Sequence, residues 1–259
     1  MDTKEQPIIT LYRGWDEPGR YVWSPFVTKV EFRLRTSNIS YKNAIGSPLS
    51  GPKGKIPYME IAEPNKAMEV VPDSSLIVKN LINRALITDV NAELCPAEIG
   101  QDLAIRALME DKLSFYLAHE RWIRSYYPMR DHALWTIPYP IRIFIGLAAY
   151  RRNVRKLHDQ GTGRFSDAEI RALEKEIWVA ISGVLQQSQS KSKDGECFWV
   201  LGGKSPTEAD ATVFGFVVSV LVCDAGPESK LLIRAEFPVI VDYAERIHKR
   251  WFPDYRIWD

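Results

Sequence analysis

The chain has 259 residues, 46% of them hydrophobic, which is enough for one large domain or two small ones with a substantial core. Lys and Arg number 34 against 33 Asp and Glu, a net charge of +1 that excludes the electrostatic footprint of a nucleic-acid binder or a polybasic membrane anchor and points to a small ligand. The three cysteines, Cys95, Cys197 and Cys223, are odd in number and far apart, with no CxxC or His-rich spacing. They read as reduced cytosolic thiols, with neither a disulfide framework nor a metal site.

The opening MDTKEQP is charged and has no apolar core of a signal peptide, and the most apolar stretch, Tyr139 to Tyr150, is interrupted by Arg142 and too short to span a bilayer. The expectation is a cytoplasmic protein without an integral membrane segment. The sequon at Asn38 to Ser40 would matter only in a secreted protein. Residues 8–15, IITLYRGW, read as a strand, followed by a loop with Pro18 and Gly19. Ser24 then Pro25 is a helix-start signal, which predicts a helix from Ser24 to about Thr36. Ser40 to Ile45 reads as a strand, Gly46 to Lys55 as a loop, and Pro57 to Ile61 and Ala67 to Val71 as strands joined by a tight turn at Glu63, Pro64 and Asn65. Asp73, Ser74 and Ser75 cap a helix over LIVKNLI.

Beyond residue 100 long runs of helix formers replace the short β segments. Helices are predicted over Gln101 to Arg130, Pro140 to Leu157, Ser166 to Gln187, Thr207 to Cys223 and Pro238 to Trp251. Ser166 with Glu169 forms a capping-box pattern, Thr207 with Asp210 a variant of it, and Gln186 to Gly195 reads as a polar surface loop. The order is β-α-β, then β-β-α, then all helix, with the boundary between Thr88 and Gly100.

The segment Trp23-Ser24-Pro25-Phe26-Val27-Thr28-Lys29-Val30 resembles the first helix of serine-type glutathione transferases. Lys55-Ile56-Pro57 resembles the cis-proline loop of thioredoxin-like folds, Asp73-Ser74 their acidic-Ser motif, and Thr207 to Asp210 the capping box of the C-terminal domain. SPF with KVE-LR, GKIP, HDQGTGRFSDAEI, LGGKSPTEADATVFG and YAERIHKRWFPDY together are similar to the failed-axon-connections and metaxin-like branch of the glutathione S-transferase superfamily, across nearly the whole chain. The resemblance implies an α/β plus all-α architecture: a thioredoxin-like, glutathione-binding domain over residues 1–90 and an all-helical domain over 100–259. It also implies a possible homodimer. The branch often has Cys where Val27 stands, so a mixed disulfide through that position is excluded here.

In that setting Ser24 is the expected catalytic residue, because a hydroxyl at a helix N-terminus can donate to a thiolate that the helix dipole already favours. The alternative is that Ser24 only caps its helix. Lys55, Ile56, Pro57, Asp73 and Ser74 are the expected glutathione contacts. The Ile56 backbone would pair with the cysteinyl unit, Ser74 and the helix start would take the γ-glutamyl carboxylate, Asp73 its ammonium, and Lys55 the glycyl carboxylate. A structural cis-proline and an ordinary N-cap are the competing explanations. Phe115, Tyr116, His119 and Trp122 stand at helical spacing where the family lines the pocket for an apolar electrophile, although such a stripe equally suits core packing. His132, His158 and His248 look isolated, and Arg151, Arg152, Arg155 and Lys156 read as a solvated helix face. The function expected is activation of the glutathione thiol for addition to, or isomerisation or elimination on, an electrophilic small molecule. A non-catalytic metaxin-like binding or scaffold protein is the alternative.

Overall fold

The computed structural model describes residues 7–64, 66–193 and 195–258. The segment 1–6 read for a leader, Asn65 of the predicted hairpin turn and Asp194 of the polar loop lie outside these residues.

The first half forms a four-stranded mixed sheet in the order β2-β1-β3-β4. Strand β1 (Ile8–Tyr12) runs parallel to β2 (Lys42–Ala44) and antiparallel to β3 (Tyr58–Ala62), which pairs antiparallel with β4 (Glu69–Pro72). Period-2 alternation turns Ile9 and Leu11 of β1, and Met59 and Ile61 of β3, to one face. There they meet Val27, Val30 and Leu34 of helix α1 (Pro25–Thr36) and Ile77, Val78 and Leu81 of α2 (Ser74–Asn83). Strand β1 ends earlier than its apolar run suggests because Arg13 turns its guanidinium inward, onto the carbonyls of Glu17 (3.2 Å) and Arg20 (2.5 Å), and Gly14 adopts a φ of +90°. Arg13 thereby braces the loop that leads to α1.

The second half is helical throughout. Its first segment is not one α-helix: α3 (Pro96–Ala107) passes into a π-helical turn at Leu108–Leu113, then α4 (Ser114–His119), a second π stretch at Glu120–Arg124, and α5 (Tyr126–Ala133). Each π turn takes more than 3.6 residues, so positions spaced for an α-helix do not stay on one face across it. Helices α6 (Tyr139–Gln160) and α7 (Asp167–Gln189) follow, then α8 (Glu208–Val222), α9 (Pro227–Glu236) and α10 (Pro238–Trp251). Helix α7 runs into the stretch expected to be loop because its last turn is tied down by Gln189 Nε2 donating to Asp242 at 2.8 Å. Helix α9, which has no strong pattern of its own, is organised by the buried Glu120 carboxylate, which accepts from the backbone N–H of Glu228 at 2.8 Å and from Ser229.

Helix α8 is the axis on which both halves are assembled, buried along its length. Asp210 at its start is fully buried and accepts from the N–H of Val200 and of Thr207 (both 2.8 Å), the Thr207 hydroxyl (3.0 Å) and Tyr243 (3.0 Å). Asp102 of α3 accepts from the Ala209 N–H at 2.7 Å, filling another orphan donor of the helix end. Toward the sheet half, Arg33 of α1 pairs with Glu208 at 2.8 Å and donates to the Thr88 carbonyl at 2.7 Å. Contact between α1 and α8 is close because position 215 is glycine: a Cβ there would lie 2.4 Å from the Pro25 carbonyl oxygen and 3.2 Å from the Lys29 nitrogen.

Candidate functional site

The register row Tyr12, Tyr58, Pro72 ends the sheet, so one residue further the chain presents Arg13, Pro57 and Asp73 side by side at the same edge. The Ile56–Pro57 bond is cis, and the Asp73 N–H donates to the Pro57 carbonyl at 3.3 Å, which locks the loop to the start of α2. Asp73 has a φ of +71°, and its Oδ1 accepts from the N–H groups of Ser75 (3.0 Å) and Leu76 (3.3 Å). Asp73 is therefore a helix cap whatever else it does. Lys29 of α1 reaches this corner, donating to the Ser75 hydroxyl at 3.1 Å while paired to Glu110 at 2.6 Å.

Ser24 stands at the N-cap position of α1 but does not cap it. The Val27 N–H goes to the Ser24 carbonyl at 3.2 Å, and the Ser24 hydroxyl makes no hydrogen bond among the described residues. The same holds for the Ser74 hydroxyl and for the Ile56 backbone N–H and C=O, none of which has a partner among the described residues. By contrast Ser166 and Thr207, read as caps from the same kind of pattern, both close full capping boxes. Polar groups left open at the starts of α1 and α2 and in the loop before β3 fit an extended ligand with a peptide backbone and terminal charges. Lys55 is exposed beside this edge.

The peptide preceding Ser24 is held from the helical half. The Trp23 carbonyl accepts from the Ser219 hydroxyl of α8 at 2.5 Å and from Arg121 at 3.2 Å, and Arg121 also donates to the Ser219 carbonyl and hydroxyl at 3.0 Å. His132 of α5, which looked isolated in the sequence, stacks on Trp23 with ring centroids 3.5 Å apart and faces Trp15 at 4.9 Å on its other side. Trp15 Nε1 donates to the His132 carbonyl at 3.1 Å, while His132 Nε2 is buried without a partner. Burial, with the nearby Arg121 charge against Asp224, pushes the imidazole down to about 4, so it is neutral at physiological pH. Neither Arg121 nor His132 carries a sequence signal for this role, because the chain brings them to Trp23 only by folding back across about a hundred residues.

The four residues expected to line an electrophile pocket do not share one environment. Tyr116 is buried in the helical core, and His119 is buried with Nε2 3.6 Å from Asp167 at the start of α7, its basicity lowered by burial. Phe115 lies under the Lys156 ammonium of α6 at 5.2 Å, and Trp122 is half-buried in the second π stretch. Lys156 is itself held below the usual lysine range by partial burial and then by the charges of Lys55 and Arg152, so the loop lysine and the cationic end of α6 are neighbours. Val27, where a thiol would be needed for a mixed disulfide, is buried against the sheet. The cavities of about 370 Å³ beside Gln187 and Gly202 and about 380 Å³ beside Pro238 and Trp258 lie on other faces of the helical half. Among the described residues no group of His, Cys, Asp and Glu is arranged to hold a metal ion.

A thioredoxin-like sheet with a cis-proline loop, joined to helices through a buried capping-box helix, is the fold of the glutathione transferases, to which this chain is similar along nearly its whole length. The model of the glutathione S-transferase N-terminal domain matches residues 25–127. Among curated proteins the chain is similar to Failed axon connections of Drosophila melanogaster, 24% identical over 269 residues, a match that takes in 98% of this chain and 60% of that one. The chain therefore spans less than two thirds of the length of that relative. Its fold matches a glutathione transferase from Phanerochaete chrysosporium with a TM-score of 0.61, at 16% identity over 97% of this chain and 98% of that one. A second glutathione transferase from the same organism, solved in complex with oxidized glutathione, matches with a TM-score of 0.55 at 16% identity over 95% and 93% of the two chains. No single helix among the described residues is long and apolar enough to cross a membrane.

Proposed function

We propose that the chain binds glutathione at the sheet edge formed by Ser24, Lys55, Ile56, Pro57, Asp73 and Ser74, and activates its thiol toward an electrophilic small molecule. Residues 1–90 would form the glutathione-binding domain and residues 100–259 the domain that holds the second substrate. The observation that carries this reading is the uncapped Ser24: a serine at the N-cap of α1 whose hydroxyl has no hydrogen bond among the described residues. The open Ile56 peptide and the unpartnered Ser74 hydroxyl support the fit.

Bound glutathione supplies the sulfur nucleophile. Ser24 donates its hydroxyl proton in a hydrogen bond to that sulfur, and the N-terminus of α1 adds its partial positive charge, so the thiol proton is released to solvent at neutral pH. The Ile56 N–H and C=O hold an extended backbone in place, Ser74 and the first turn of α2 take a carboxylate, and Lys55 takes a second one. Ser219 and Arg121 keep the Trp23 peptide, and with it Ser24, in register with this edge. Because Val27 replaces a thiol, turnover goes through addition to the electrophile and not through a protein mixed disulfide.

Titration calorimetry with glutathione, together with conjugation of a generic electrophile, tests this for the wild type and for Ser24→Ala. Retained binding with conjugation reduced about tenfold to a hundredfold in Ser24→Ala is the expected result. Failure to bind at millimolar glutathione removes the proposal. Binding without turnover in the wild type assigns the chain to the non-catalytic, scaffold alternative.

A further inference from the structure

Helix α6 is the least covered long element of the molecule. Its packed side is narrow: among its residues only Gly146 and Leu157 are buried, and the close approach at Gly146, where a Cβ would lie 2.6 Å from the Arg130 side chain and 2.8 Å from the Tyr126 hydroxyl, seats α6 on α5. The rest of its first half is apolar and in solvent: Phe144 is 76% exposed, Tyr139 61% and Ile141 54%, with Ile143, Ile145 and Leu147 also exposed. At about 100° per residue these six side chains spread over roughly 240° of the helix circumference. A protein groove covers a stripe of about 100°, so this distribution suits a fluid apolar medium that surrounds the helix. Trp135 and Tyr127, both exposed, flank it with the ring types that favour a membrane interface.

Charge selects the kind of surface. The second half of α6 exposes Arg151, Arg152, Arg155 and Lys156, and residues 132–158 contain no Asp or Glu. Asp131 is itself engaged by Arg130 at 2.8 Å and faces Arg142 at 3.6 Å, and Arg142 is turned inward onto the carbonyls of Ile137 and Trp135. The near-zero net charge of the chain conceals this segregation: the outward face of α6 reads apolar first and cationic after. We propose that α6 is a membrane-docking element that inserts Ile141, Phe144 and their neighbours into the boundary of an anionic lipid surface, with Arg151, Arg152 and Arg155 on the phosphates. The protein lies on the membrane without spanning it. This inference is independent of whether glutathione is turned over.

Co-sedimentation with sucrose-loaded vesicles tests it, using phosphatidylcholine alone and phosphatidylcholine with about a third phosphatidylserine. The wild type is expected to bind the anionic vesicles, weakly if at all the neutral ones, and to be released by salt. Arg151→Glu with Arg155→Glu should lower binding more than tenfold, since each cation near such a surface is worth about fivefold. Ile141→Ser with Phe144→Ser should lower it comparably, with unchanged circular-dichroism melting for both variants because all four positions are exposed. Absence of wild-type binding, or equal binding to both vesicles with no effect of the charge reversal, overturns the proposal. A dimer in solution that Ile141→Ser with Phe144→Ser dissociates, without vesicle binding, also overturns it and assigns the face to a second copy of the chain.

Discussion

Two helix starts in this molecule carry the same kind of sequence signal and are used in opposite ways. At the start of α8, Thr207 and Asp210 form a closed arrangement: every oxygen of the Asp210 carboxylate accepts from at least one neighbour, and Tyr243 and the Val200 peptide come from distant segments to complete it. At the start of α1, Ser24 leaves its hydroxyl open, and the surrounding interactions, from Ser219, Arg121 and Arg13, hold the backbone and spare the side chain. A satisfied cap belongs to folding. An unsatisfied one leaves its hydroxyl free for the ligand contact proposed above.

The comparison is broken most severely at Asp210. Asp210→Ala leaves buried donors without an acceptor and is expected to destabilise the protein by about 3 kcal/mol or more, read as a lowered urea midpoint. Gly215→Val comes next. Its side chain would begin 2.4 Å from the Pro25 carbonyl, so α1 must shift, with a loss of about 1–3 kcal/mol and a weakened affinity for glutathione because Ser24 moves with Pro25. Both effects should appear together; a stable Gly215→Val protein with normal binding would show that the α1–α8 approach does not position the site.

Smaller effects sharpen the contrast. Ser166→Ala removes a working cap and is expected to cost about 1 kcal/mol, whereas Ser24→Ala, with no cap bond to lose, should change stability by less than about 0.5 kcal/mol. Equal losses at the two positions would mean that Ser24 is an ordinary cap.

The pH dependence offers the subtlest test. His132 titrates at about 4 in the folded protein against 6.5 when unfolded, so the unfolded state binds the extra proton first, and the stability this group confers is present above pH 6.5 and lost as pH falls toward 4. Asp210 is pushed up to about 6 from 3.8 by burial, so its contribution has the opposite sign: it is present below pH 3.8 and lost as pH rises toward 6. Between about pH 4 and pH 6 the two oppose each other. His132→Phe, which keeps a ring between Trp15 and Trp23, should gain stability relative to the wild type as pH falls through this window. The slope should be at most about 1.4 kcal/mol per pH unit and smaller because the ring is partly solvated. Parallel wild-type and variant profiles would show that His132 is not held neutral.

Much of this architecture was legible in the one-dimensional pattern. Alternating apolar residues mark β1 and β3, Ser-Pro marks the start of α1, Ser166 with Glu169 and Thr207 with Asp210 mark the starts of α7 and α8, and GKIP marks a loop whose cis bond the structure displays. These are local signals, written within a turn or two of the feature they specify. Phe115, Tyr116 and His119 share the α-helical stretch α4, whereas Trp122 falls in the π stretch that follows it, a change in rotation per residue that nothing in the residue types announces.

The sequence by itself determined the order of elements, a mixed strand-and-helix half followed by helices, and the absence of a cysteine at position 27, because each depends on propensity, periodicity or identity within a short window. Only the tertiary structure decided which polar groups remain open. Whether Ser24 caps or waits depends on where its neighbours' hydrogen bonds go. That His132 and Arg121 converge on Trp23, and that α6 is left with its apolar side in solvent, depends on packing between segments far apart in the chain, where charge and hydrophobicity totals average away the very asymmetry that matters.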